Sequence, residues 1–472
     1  VAGTSHSEHH RRTAFWVMLA AVMWGATFAG EYVSSWAPLR WPFVWGVGIC
    51  LVLCVRGLLS VVVLVMVVAI VGLAGGAAAW HDAAQPTMGP CAGVATLRSD
   101  PELFSAGTAV VLELDNRRYR VSAYDMAGRR LAARFSGQSV YVSGTCGPLT
   151  GRFARIDRVR HIVGRMSVDT VSEDFTEGTR FIRAANRMRG VIVEGTQSMS
   201  REYRSLFLGL VIGDDRGQPK EMVQRFRDSG LSHLCAVSGQ NVAFLLLLIR
   251  PLTSRRHRFV AWGINVWVIA WFVVVTRGEP SITRAAVMAG MVATYALCGR
   301  QASTRTVLAR TVIVLLIVDP MLAWSVGFAL SVGATAGLAW LSVRCGQIFT
   351  AGQTIASTFA AQIGTTPISL LVFGTVPVVS LVANPLAIPV AGMVMTIGLP
   401  LAVLAAMFPS LADPVGAVLT VPVAWVDAVA RVSSSMAPTG GMHVMMWGVV
   451  LCGVYVLWRR AGTSQTLTHR RP

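Results

Sequence analysis

Residues 58–80 read LLSVVVLVMVVAIVGLAGGAAAW, 23 consecutive positions without a charged side chain. A helix needs roughly 20 apolar residues to cross a hydrocarbon core of about 30 Å, so this stretch is long enough to span a bilayer and too apolar to face water. Working outward, residues 15–36 and 41–55 are two further apolar runs, with Arg11, Arg12 and Arg56 beside their ends. If those arginines lie in the cytoplasm, His81 and the residues just after it lie outside. Beyond them the runs at 259–276, 282–298, 307–319, 327–343, 368–382 and 442–458 repeat the pattern. We expect ten to twelve spanning helices, the shorter ones tilted or borrowing flanking residues.

Composition agrees. Of 472 residues 54% are hydrophobic and 14% charged. A soluble domain carries about 25% charged residues, so most of this surface faces something other than water. The formal net charge is +18, from 41 basic residues of which Lys220 is the one lysine. Arginine keeps its proton in any environment and pairs bidentately with phosphate, which suits a nucleic acid. A positive-inside bias yields the same count, and charge alone does not separate the two.

Residues 91–165 differ in kind. Short β-prone segments at 93–97, 109–114, 118–124 and 140–144 alternate with turn residues, with hairpins expected at Asp115–Asn116 and at 126–128. The reading is a small barrel of about five strands, of the oligonucleotide-binding (OB) type. Twelve arginines against six acidic residues between Arg98 and Arg165 make it basic. Arg117, Arg118, Arg120, Arg129, Arg130 and Arg134 are its candidate contacts to DNA, the alternative being a solvated basic face. Cys91 and Cys146 are the only cysteines here, and outside the cytoplasm such a pair can oxidise, the alternative being two buried thiols. Residues 166–229 read as an amphipathic, interfacial helical connector.

The membrane section from residue 230 to 460 holds residues that a plain span excludes. Ser232, His233, Ser238, Gln240 and Asn241 fall within SGLSHLCAVSGQNV, residues 229–242, where polar groups at membrane depth face a cavity or another helix. Arg284 falls near the start of an apolar run headed by Pro280 and must pair, snorkel or meet an anion. Thr365, Thr366 and Pro367, and Asn384 through Pro389, interrupt later runs and predict discontinuous helices. Gly327, Ser331 and Thr335 recur every four residues as a small-residue ridge. There is no GxxxxGK[ST] stretch, and nine histidines without an HxHxDH arrangement offer no metal centre; no cofactor and no enzymatic activity are expected.

With those residues in place, the chain resembles the ComEC family of competence proteins. The family pattern GLSHLLAISGLHV is met by residues 230–242, its PSxxRA element by residues 280–285, and its DP and GFxLS elements by Asp319–Pro320 and residues 327–331. Thr365, Pro367, Phe373, Gly374 and the stretch from Asn384 to Pro389 meet the rest. The resemblance implies a channel that admits one strand of DNA across the cytoplasmic membrane during natural transformation. An external OB-type domain would stand near its mouth, with a cytoplasmic helicase-like motor and an external DNA-delivery protein as partners besides the lipid bilayer. The expected organisation is N-terminal spans to residue 90, the external domain at 91–165, the connector, the channel domain at 230–460, and a tail at 461–472, both termini cytoplasmic. Two departures are noted. Gln240–Asn241 replaces the family's Leu–His, and the chain ends at Pro472 without the metallo-β-lactamase-like domain of many members, so either a separate nuclease degrades the other strand or this member is a partial or divergent one. A small-solute or ion transporter with an external recognition domain is the alternative.

Overall fold

The computed structural model describes residues 2–33, 58–104, 107–151, 153–235, 239–301, 303–348, 353–374, 376–437 and 445–447. The expected spans at 41–55 and 442–458, and the tail at 461–472, lie wholly or largely outside them. The protein is a multi-pass helical membrane protein. Among the described residues seven helices are long and apolar enough to cross a bilayer: Arg11–Val33, Ser60–Ala83, Arg258–Val275, Val326–Val343, Ile355–Phe373, Ser380–Met407 and Pro409–Ser435. The chain divides into two compact units, Val1–Met188 with Ala270–Phe328, and Arg189–Ile269 with Ala329–Pro472.

In the first unit α1 (Ala2–Val33) and α2 (Leu58–Ala83) run in the same direction in close contact. A Cβ on Gly72 would lie 2.9 Å from the Met23 carbonyl oxygen and one on Gly30 2.5 Å from the Ala77 nitrogen. Small residues let the two backbones touch, which is what holds helices together in lipid, where no hydrophobic drive exists.

The chain then enters a sheet. Its strands are β1 (Gly89–Leu97), β2 (Glu102–Phe104), β3 (Gly107–Leu114), β4 (Arg117–Ala123), β5 (Ser139–Pro148) and β6 (Ile162–Thr176). The expected five-stranded OB-like barrel is corrected to a six-stranded sheet in the order β1-β5-β6-β4-β3-β2. The pairings are antiparallel except β4 with β6, which is parallel. β1 and β3, the strands that would have to close a barrel, pair at two positions only, Thr96 with Glu113 and Leu97 with Leu112. The edge strand β2 adds to β3, and the hairpin expected at 126–128 is replaced by helix α3 (Asp125–Ala132), which buries Ala127 and Leu131. The Asp115–Asn116 hairpin is present. Both residues take positive φ, +50° and +61°, as a two-residue turn matching the strand twist requires. Alternate residues of β3 and β4, among them Leu112, Leu114, Tyr119 and Val121, fill the core with Leu97, Val142 and Met166. A disulfide joins Cys91 to Cys146, tying β1 to β5.

After a short helix α4 (Ala154–Val159) and strand β6, the amphipathic helix α5 (Arg180–Glu194) leaves this unit. The chain returns along α10 (Arg258–Val275) to form α11 (Pro280–Leu297) and α12 (Thr304–Val318). Polar contacts bolt the sheet region to α1 and to the ends of these helices. Arg277 donates to both Asp100 oxygens at 3.2 and 2.9 Å, Arg155 to Glu31 at 2.7 Å, and His161 lies 3.0 Å from Asp319. Glu31 also accepts from the Trp324 indole at 2.9 Å.

The second unit contains α6 (Arg201–Ile212), α7 (Lys220–Asp228), the single turn α8 (Ser232–Cys235) and α9 (Gly239–Thr253). The greater part of α13 (Val326–Ile348) follows, then α14 (Gln353–Phe373), α15 (Ser380–Met393), α16 (Leu399–Met407) and α17 (Ala412–Ser435). The discontinuities expected at the prolines are also corrected. Pro367 sits inside an unbroken α14, and Pro385 and Pro389 inside α15. Proline costs a helix one ladder bond and a clash with a carbonyl. Beside Pro367, Thr365 and Thr366 return their hydroxyls to the carbonyls of Ala361 and Gln362 at 3.2 and 2.7 Å. The irregularity comes later, as a π turn at Val394–Gly398 between α15 and α16. The close helix contact of α13 uses Gly333 and Gly337 against Gly364 and Ala360 of α14, two residues further along than the predicted ridge.

Candidate functional site

The polar stretch of residues 229–242 begins where α7 stops. Asp228 is the last helical residue, Ser229 caps it, and Gly230 at φ +74° takes the left-handed conformation that closes a helix. Its two bonds, Leu231 N–H to Phe226 O at 2.8 Å and Gly230 N–H to Arg227 O at 3.1 Å, satisfy orphan carbonyls of the last turn. Gly230 also has a packing reason. A Cβ there would lie 2.6 Å from the Ser380 Cβ and 3.2 Å from that of Pro377, at the head of α15. Leu231 is buried, and the turn α8 that follows buries Leu234 and leaves Ser232 and His233 exposed. Ser238 lies outside the described residues. At the start of α9 Gln240 is half-buried, while Asn241 is buried and donates its amide to the Leu210 carbonyl at 2.8 Å.

Two further anchors hold this segment, and sequence reading missed both. Asp427 is wholly buried in α17 and accepts from Arg225 of α7 at 3.0 Å and from Arg431 at 2.5 Å; Arg225 donates to Glu202 as well, at 3.0 Å. A carboxylate 15 residues past the start of the 24-residue α17 was the available signal, since an ionisable group inside a span names a partner by default. The loop between α6 and α7 is the other. Arg216 donates to both Asp214 oxygens at 2.7 and 2.6 Å, and Arg189 donates to Asp214 at 3.2 Å and to the Ile212 carbonyl at 3.1 Å. Burial alone would raise the Asp214 carboxyl, but Arg216 and then Arg189 outweigh it and hold Asp214 below the usual range. Asp215 goes the other way, raised by burial and by the neighbouring Asp214 charge. The segment from α7 to α9 is therefore fixed on α15, α17 and α6, and it presents polar side chains from the single turn α8 and the start of α9.

Asn384 is four residues beyond Ser380, one turn along the same side of α15. It is 8% exposed, and its side-chain oxygen is buried without a hydrogen-bond partner among the described residues. Arg284 belongs to the first unit. It is 6% exposed, one turn into α11, with Nη1 3.1 Å from the Met288 sulfur.

Five of the six candidate arginines of the sheet are committed to neighbours. Arg117 donates to the Gln85 carbonyl at 2.7 Å, Arg118 to Glu113 at 3.3 Å and Arg120 to Asp157 at 3.0 Å. Arg130 donates to the Val171 carbonyl at 2.6 Å, and Arg134 to that of Glu173 at 2.7 Å while covering the Phe175 ring at 4.0 Å. Arg129 is exposed. Glu113 accepts from Arg98 first and Arg118 second, which holds its carboxyl below the usual range. Among the described residues no group of three His, Cys, Asp or Glu side chains is placed to hold a metal.

The profile of a family described as "Competence protein" matches residues 210–461, which include the turn, Arg284, Asn384 and Asp427 and leave out the sheet. An uncharacterized protein, YcaI, from Escherichia coli K12 is 30% identical over 229 residues, covering 45% of this chain and 30% of its own length. ComE operon protein 3 from Bacillus subtilis 168 is 26% identical over 237 residues, covering 49% of this chain and 30% of its own. The chain thus spans under a third of either relative. No solved structure matches it.

Proposed function

The chain belongs to the competence protein family, and on that premise we propose that its membrane section conducts single-stranded DNA across the cytoplasmic membrane during natural transformation. The observation that carries this reading is the polar segment of residues 229–235 and 239–241, the single turn α8 and the start of α9. It lies inside the family-matched stretch and is clamped on three neighbouring helices among apolar spans. Ser232, His233, Ser238, Gln240 and Asn384 are the lining groups in this proposal. Asn241 has a different part, because its amide holds the end of α6; it positions the turn. Arg284 meets the phosphate backbone. Conduction without sequence preference needs contacts that are weak and spread out, since one tight site would stall the strand.

The sheet would stand outside the cytoplasm. The Cys91–Cys146 disulfide supports that side, because such bonds persist in oxidising compartments, and so do Arg11 and Arg12 at the start of the membrane span within α1. With five of its six candidate arginines engaged internally, Arg129 is the one we keep as a DNA contact. The force would come from a cytoplasmic helicase-like motor, with an external protein delivering the DNA. Strand-resolved uptake of labelled DNA, in a competent strain whose own copy is deleted, tests the proposal. Wild-type chain restores entry of one strand, and Arg284→Ala, at equal membrane abundance, loses most of it. Full uptake by Arg284→Ala removes its assigned role, and no restoration by the wild type sinks the channel reading.

A further inference from the structure

At one end of the first unit three helices bring basic and aromatic residues together. α12 runs alongside α1 in the same direction, with Thr13 and Thr306 hydroxyls 3.1 Å apart, and α11 runs the opposite way. The shared end therefore holds the start of α1, the end of α11 and the start of α12. Arg310, six residues past Thr304 and so about 9 Å into α12, places its guanidinium 4.2 Å from the Trp16 ring centre and 5.6 Å from that of Tyr295. Its Nε is buried without a hydrogen-bond partner, while the residue as a whole is only half-buried. The aromatic faces stabilise the cation but leave the outer donors of the fork to an acceptor.

The strongest acceptor for those donors is an anion, and carboxylates are scarce at this end. Residues 2–16 and 295–310 contain five arginines and a single acidic residue, Glu8. Glu31 and Asp319 close the opposite ends of α1 and α12. Arg12 is exposed one helical turn before Trp16 on the same face. Arg300 is exposed as well, and its backbone nitrogen bonds to the Tyr295 carbonyl at 2.9 Å, within the left-handed turn made by Gly299. Inward on the same faces the helices expose apolar side chains: Val292 at 52%, one turn from Tyr295, and Val314 at 39%, one turn from Arg310. Charges at the rim, aromatics below them and exposed apolar residues beneath match the order of headgroup, interface and acyl chain in a leaflet.

We propose that this end of the first unit binds the phosphate headgroup of an anionic phospholipid, with Arg310 as its main ligand, Arg12 and Arg300 at the rim, and Trp16 and Tyr295 as walls. The proposal is independent of what the channel conducts. The lipid source is favoured over free phosphate because the exposed apolar residues continue the site toward the acyl region.

The test uses the full chain purified in detergent and reloaded with phosphatidylglycerol or phosphatidylcholine, with retained lipid counted by native mass spectrometry. Wild type should retain phosphatidylglycerol with a preference of about tenfold, equivalent to about 1.4 kcal/mol. Arg310→Gln should lose that preference, and Arg310→Lys, which keeps the charge without the fork, should keep part of it. Trp16→Leu covers the case in which Arg310→Gln does not fold, and it should weaken the preference. Equal retention of the two lipids by wild type overturns the proposal, as does an unchanged preference in both Arg310→Lys and Trp16→Leu. A third arm adds millimolar inorganic phosphate. Displacement of the lipid by phosphate alone would make this a free-phosphate site and overturn the lipid assignment, whereas retention supports it.

Discussion

Gly230, at φ +74°, leaves no room for a side chain. A Cβ on it would sit 2.6 Å from the Cβ of Ser380, so the turn that ends α7 and the helix that carries Asn384 meet backbone to side chain. Gly230→Ala should therefore destabilise the protein twice over, through the left-handed backbone and through the overlap, by about 2–3 kcal/mol together. Ser380→Gly removes one of the colliding atoms. Thermal unfolding of the two single variants and the double variant should show that Ser380→Gly recovers part of the loss, and strict additivity would argue that the contact is not made.

Asp427 is the charge on which Arg225 and Arg431 converge inside α17. Asp427→Ala leaves those guanidiniums facing a site built for a carboxylate, and the expected loss is about 3 kcal/mol. Replacing both partners, as Asp427→Leu with Arg225→Met, should recover much of it. Denaturant or thermal midpoints in one detergent decide the matter; a double variant no better than Asp427→Ala would contradict this assignment.

The Cys91–Cys146 bond closes a loop with a sequence separation of 55. Loop-closure entropy sets its contribution at about 4 kcal/mol as an upper figure. Reduction, or Cys91→Ser, should lower the unfolding temperature of the sheet region, read by protease resistance of residues 89–176, and leave the helical circular dichroism signal nearly unchanged. Equal resistance with and without reductant would show that the sheet holds without it.

Acid should loosen the α6–α7 loop. Asp214 is held below its unfolded pKa of about 3.9 by Arg216 and Arg189, so its contribution is present at neutral pH and is lost as pH falls below about 4 through the folded value. Asp215 is raised by burial, so its contribution has the opposite sign and fades as pH rises through its folded value. Asp214→Asn should lower stability at pH 7 and flatten the acid slope. Asp215→Asn should leave pH 7 stability equal or higher. Thermal midpoints of the three proteins between pH 3 and 7 check both signs.

Much of the architecture was legible because it depends on local properties. An uncharged run of 23 residues requires a bilayer whatever surrounds it. Asp115–Asn116 reads as a two-residue hairpin turn because those residues tolerate positive φ. Pro280 marks the start of α11 because its missing N–H has no acceptor to lose there. The Cys91–Cys146 pair could be named from its compartment and position. The errors share one cause. Chain-local rules make Pro367, Pro385 and Pro389 helix breaks, yet their helices continue, because tertiary packing can offset a lost ladder bond. The barrel inferred from strand spacing became a sheet because strand pairing is a long-range choice.

For the candidate site the division is sharper. That Ser232, His233, Gln240, Asn241 and Arg284 are unusual for a membrane section follows from the sequence alone, since desolvating a polar group costs free energy wherever it sits. Which of them remain available to a ligand was decided only by the tertiary structure. Asn241 is used by the Leu210 carbonyl, and Arg117, Arg118, Arg120, Arg130 and Arg134 by neighbouring carbonyls and carboxylates. Asp427 emerges as the anchor of α7 from 202 positions away in the chain. A hydrogen bond needs its partner within about 3 Å, and that partner is set by how helices and strands pack, which no local pattern encodes.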